Sequence, residues 1–93
     1  MTYSIVVEPE AIQDLLHIKK YIAVQDTLRK ANRFISELKG TIKTLNQLPE
    51  RCRKSYYSDE VNTHDLIYKG YTVVFQIREK NIHILSIFKQ KSY

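Results

Sequence analysis

Little in this sequence can cross-link, bind metal or break a helix. Its 93 residues include one cysteine, two prolines, two glycines and no tryptophan. The single Cys52 excludes an internal disulfide and a cysteine-built metal site. Scarce glycine and proline, beside a hydrophobic share of 43%, argue against disorder. No apolar run reaches membrane-spanning length and no secretory signal stands out. The expected compartment is therefore the cytoplasm, with no membrane partner. A chain this short forms one domain, residues 1–93, and buries roughly 60–65% of its unfolded surface. Nothing in the composition calls for a cofactor or a metal.

What is present is unevenly placed. Residues 1–50 hold seven Lys/Arg against six Asp/Glu, and residues 51–93 hold eight against four, within a total of +5. The sequence pI of about 9.4 favours an acidic partner, either nucleic acid or an acidic protein segment. Charge alone does not separate the two.

Thr2–Glu8 is β-branched and weakly alternating, which predicts a strand. Pro9 suits the first turn of a helix, where its missing N–H costs nothing. Ala11, Leu15, Ile18 and Ile22 recur at helical spacing, with Ile12 and Leu16 beside them, as a wide apolar stripe to about Val24. Asp26 or Thr27 can cap a second helix. Its stripe runs through Ala31, Phe34, Ile35, Leu38, Ile42, Leu45 and Leu48 until Pro49 stops it. Gly40 inside it marks either a close approach by another element or a tolerated surface position. A connection this short predicts an antiparallel helix hairpin.

Residues 50–63 show no period and read as a loop, with an edge strand near Arg53–Tyr57. HDLIY, YTVVFQIR and NIHILSIFK read as three strands joined by turns at Lys69-Gly70 and Glu79-Lys80-Asn81. These connections force an antiparallel meander. The expected fold is a two-layer α+β domain of order β-α-α-β-β-β. The hairpin packs on one face of a small, mainly antiparallel sheet, and the other face is left to solvent or a ligand.

The stretches EAIQDLLHIKKYI, ANRFISELKGTIKTL, LPERCRK, HDLIYKGYTVVFQI and IHILSIFKQK together resemble the RelE/ParE superfamily of toxins from bacterial type II toxin–antitoxin systems. The resemblance spans nearly the whole chain. It implies a cognate antitoxin that wraps the toxin, with operator DNA reached only through the antitoxin complex. It also implies one of two targets. RelE-like members enter the ribosome and cleave mRNA; ParE-like members poison DNA gyrase and need no nuclease chemistry.

RNA cleavage needs a base for the 2′-hydroxyl, cations for the phosphate and an acid for the leaving oxygen. Thr72, Phe88 and Gln90 stand where nuclease members of the family carry arginine or histidine. Asp65 stands where RelE has lysine. If the protein is nonetheless a ribonuclease, His64, Arg53 and Lys89 are the catalytic candidates. A target or nucleic acid would meet Arg51, Arg53, Lys54, Lys69, Lys89 and Lys91; the alternative for each is a solvated surface charge. Tyr21 and Tyr71 fit the family's core pattern. Tyr56, Tyr57 and Tyr68 lie near the basic loop and could stack on bases or simply pack. His17 and His83 are expected to serve packing or solvent contacts. Cys52 is a small filler unless neighbouring cations depress its pKa. The long hairpin favours the ParE branch, a gyrase inhibitor. The alternatives are a ribosome-dependent endoribonuclease and a degenerate toxin kept as an antitoxin- or promoter-binding module.

Overall fold

The computed structural model describes residues 2–47 and 49–89. Strand β1 (Ser4–Val7) leads into helix α1 (Pro9–Gln25) and helix α2 (Leu28–Lys43). Two 3-10 turns, Thr44–Asn46 and Pro49–Arg51, precede β2 (Arg53–Lys54), β3 (Thr63–Tyr68), β4 (Tyr71–Arg78) and β5 (Asn81–Lys89). The sheet order is β1-β5-β4-β3-β2. Only β1 runs parallel to its neighbour, pairing Ser4–Val7 with Asn81–Ile84. The expected α+β hairpin-on-sheet architecture is the one found.

Local chemistry accounts for the boundaries. Pro9 occupies the first turn of α1. The Thr27 hydroxyl caps α2 by accepting the Lys30 N–H at 3.1 Å. Lys69 and Gly70 take positive φ of 46° and 84°, as a two-residue primed hairpin turn requires. Helix α2 stops at Lys43, short of the expected Leu48, which lies outside the described residues. Proline is not what ends it. The Thr44 hydroxyl donates to the Thr41 carbonyl at 2.6 Å, which competes with further helix and tightens the chain into a 3-10 turn. Leu45, fully buried, still extends the stripe.

The core lies between the hairpin and one sheet face. Ala11, Leu15 and Ile18 of α1 and Ile35, Leu38 and Ile42 of α2 meet Tyr71, Val73, Phe75, Ile82, Ile84 and Ile87. A bulge between Val74 and Phe75 shifts the pairing with β5 by one residue. It lets Ile82, Ile84 and Ile87 all face the helices although their spacing is not strictly two. Asp14 fixes α1 to the sheet, its carboxylate accepting the Ile87 N–H at 2.9 Å beyond the point where β1 ends.

One expectation about the helices needs correction, and one alternative is decided in favour of a tolerated surface glycine. Ile12 and Leu16 are 47% and 55% exposed, so the stripe of α1 is wider than the face it buries. Nothing lies within 4 Å of where a Gly40 side chain would start, so no close approach explains that glycine.

Candidate functional site

The sheet face turned away from the helices was expected to be open. Much of it is closed. Thr63, Asp65, Thr72 and Val74 all point to that face, and none exceeds 5% exposure. The cover is the loop 55–62. Tyr57 reaches across β3 and β4 to rest edge-on against Phe88, with ring centroids 4.8 Å apart. Gln76 donates to Glu60 at 3.1 Å and to the Val61 carbonyl at 3.3 Å. Asp65 is the anchor, accepting the Tyr56 N–H at 3.1 Å and a guanidinium N–H of Arg53 at 3.4 Å. Asp65 Oδ1, Arg53 Nε and the Thr72 hydroxyl are buried there without partners among the described residues. An aspartate in a sequence expected to bind anions thus serves to hold a loop.

The candidate residues do not share one surface. Arg53 lies on the loop-covered face, its guanidinium 3.9 Å over the Tyr56 ring. Lys54 is exposed on the short edge strand β2, paired with His64. Arg51 donates to the Thr44 hydroxyl at 2.9 Å, near the end of the hairpin. Lys69 and Lys89 sit at the other end of the sheet. Lys69 pairs with Glu37 at 3.1 Å. The Lys89 ammonium stands 5.8 Å from the centre of the Tyr21 ring. Lys91 lies outside the described residues, as does Gln90.

His64 is on the helix-facing side. Its ring stacks on Phe75 at 5.6 Å, and Nδ1 lies 3.0 Å from the Cys52 carbonyl, a distance suited to donation by Nδ1–H. Lys89 is opposite Tyr71 while His64 is opposite Phe75. That register parts them by about 13 Å along the sheet at the usual strand rise. With Arg53 on the opposite face, the three conditional catalytic residues do not converge on one phosphate.

Other placements refine the reading. Tyr71 is buried and burial raises its pKa, but Tyr21 is 52% exposed and does not belong to the core. Tyr68 lies against Phe34, far from the basic loop. His83 Nδ1 is 2.6 Å from Glu8. Burial pushes the Cys52 thiol up despite the counteracting Arg51 charge, so the expected cationic activation does not prevail. Lys69 and the Tyr68 hydroxyl hold the Glu37 carboxyl below its ordinary range. Among the described residues there is no cluster suited to a metal and no helix long and apolar enough to cross a membrane.

A surface that sequence reasoning missed lies between the hairpin and β1. Two hollows of about 430 and 230 Å³ share Val7, Leu15 and Lys39. Ile12, Leu16 and Ile35 extend the first, Ile5 and Ile42 the second. Lys19, Lys39 and Lys43 border this apolar groove, and among the described residues no acid lines it. Its signal was the excess width of the α1 stripe.

A family model described as the ParE toxin of the type II toxin–antitoxin system parDE matches residues 5–92. The chain belongs to the ParE toxin family. Its fold is similar to that of a chain in the chromosomal ParDE system from P. aeruginosa. There the TM-score is 0.83 at 21% identity, covering 97% of this toxin and 98% of that chain. It also resembles a chain in the toxin–antitoxin complex RelBE2 from Mycobacterium tuberculosis. That match has a TM-score of 0.73 at 15% identity, covering 99% and 95%. No curated protein sequence matches the toxin. These relations place it in the RelE/ParE superfamily.

Proposed function

We propose that this ParE-family toxin arrests growth by docking on DNA gyrase, without nuclease chemistry of its own, and that a cognate antitoxin neutralises it. The observation that carries the reading is the separation of His64, Arg53 and Lys89 between two faces and two ends of the sheet, joined to the family match over residues 5–92. General acid–base cleavage requires these groups within hydrogen-bond reach of one substrate. Docking on a protein target does not.

The test is supercoiling of relaxed plasmid by purified gyrase. Inhibition, or trapping of cleaved DNA, is expected at toxin concentrations that leave added mRNA intact on ribosomes. Normal supercoiling together with A-site cuts in messages would establish the endoribonuclease reading instead. Normal growth on expression without antitoxin would leave only a binding module.

The groove beside β1 suits the antitoxin. Apolar walls rimmed by Lys19, Lys39 and Lys43 match an amphipathic segment with acids along its edges. Lys39→Glu should slow association and flatten its salt dependence. An unchanged rate across salt concentrations would place the antitoxin elsewhere.

A further inference from the structure

At the end of the sheet farthest from β1's start, rings and cations interleave. Phe34 packs on Tyr68 and Tyr71 with centroids 5.9 and 5.2 Å away. A hollow opens on each side of this cluster. One, of about 300 Å³, is lined by His17, Ile18, Tyr21, Tyr71 and Lys89. The other, of about 320 Å³, is lined by Lys30, Arg33, Phe34, Glu37 and Lys69. Lysine ammoniums lie 5.8 Å from the Tyr21 ring and 5.4 Å from the Tyr68 ring. Among the described residues Glu37 is the one acid lining either hollow, and it is engaged by Lys69 and Tyr68. Lys30 pairs with Asp26 nearby; no salt bridge involves Arg33 or Lys89 among the described residues.

We propose that this end binds single-stranded nucleic acid, with bases entering the two hollows against Tyr21 and Phe34 and phosphates meeting Lys89, Arg33 and Lys69. The inference goes beyond gyrase docking and does not depend on it. An acidic peptide would use the cations but gain little from the exposed Tyr21 ring and the partly buried Phe34 ring, whereas every base has a face to stack. Each hollow is at the small end of the range for ligand pockets, which suits one base apiece better than a single large ligand. The loop-covered face also sets a cation over a ring, Arg53 on Tyr56, but there the guanidinium is engaged by the buried Asp65 carboxylate.

The test is fluorescence anisotropy of labelled 12-nucleotide single-stranded DNA and RNA probes with the intact toxin over a salt series. Tyr21→Ala should raise Kd by about 5- to 160-fold, the loss of one stacked base. Lys89→Ala should weaken binding and lower the slope of log K against log salt by about 0.7, one phosphate contact. Glu37→Gln, which releases Lys69, should tighten binding. Lys80→Ala, at the opposite end of β5, is the control for nonspecific charge loss and should leave the slope higher than Lys89→Ala does. Circular dichroism checks that each variant is folded. Absent binding at low salt, undiminished binding by folded Tyr21→Ala, equal losses from Lys80→Ala and Lys89→Ala, or displacement by polyglutamate as effectively as by oligonucleotide would each overturn the proposal. Gyrase inhibition is read separately, so failure here is distinguishable from failure of the gyrase reading.

Discussion

The two faces of the sheet are covered by different physics. The helix-backed face is closed by apolar area, with Leu38, Phe75, Ile82 and Ile84 fully buried between layers. The opposite face is closed by a loop that Asp65 and a Tyr57–Phe88 contact hold down. Burial of area spreads its contribution over many side chains. A loop anchored through one carboxylate depends on a few hydrogen bonds, and the buried Thr72 hydroxyl beneath it has no partner among the described residues. The first cover belongs to the fold; the second should open at lower cost.

Substitutions can break each cover in turn. Phe75→Ala should have the largest effect, destabilising by about 3–5 kcal/mol through lost transfer energy and a cavity. Urea denaturation measures it. A cost under about 1 kcal/mol would mean that the core collapses around the gap. Asp65→Ala should cost about 1–3 kcal/mol, because the Tyr56 N–H and the Arg53 guanidinium lose their acceptor. Its more specific sign is faster tryptic cleavage after Arg53 and Lys54 while the helices remain protected. Unchanged cleavage would show that the loop is held by other contacts. Gly40→Ala tests whether the hairpin's outer side is bare. It should stabilise by about 1 kcal/mol and raise Tm by roughly 4–8 °C. A fall in Tm would mean that something packs there.

The smallest effect is a pH dependence at the edge of the helix-backed face. Because Glu37 titrates below its ordinary range in the folded toxin, its contribution is present above the unfolded carboxylate pKa. It is lost as pH falls through the lower folded value. Lys69 is shifted up by the same contact, so its share persists through neutrality and fades only as pH rises through the folded lysine pKa. The Tm difference between wild type and Glu37→Gln should shrink on acidification below the ordinary carboxylate range. A difference that grows there would reverse the sign.

What could be read from the residues follows the same division. The helix-backed face was legible because helical and strand periods mark apolar side chains directly. Ala11, Leu15, Leu38 and Phe75 all stand where their spacing puts them. The Lys69-Gly70 turn was legible because its chemistry is local. The loop over the far face was not. ERCRKSYYSDEVNT has no period, and its placement depends on Asp65 and Phe88, which lie downstream of it. Tyr21 was misplaced because its core position came from the resemblance to the family, and a family pattern does not say where this sheet ends. The groove beside β1 was hidden because Ile12 and Leu16 look like core until β1 is seen to stop at Val7. The scattering of Arg53, Lys54, Lys69 and Lys89 follows from strand register, which charge counting does not carry.

Docking without cleavage is tested most directly by growth arrest on induced expression of His64→Asn beside wild type, without antitoxin. Equal arrest by the two proteins is expected, because His64 packs on Phe75 away from Arg53 and Lys89. Restored growth with a folded, normally abundant His64→Asn protein would contradict it.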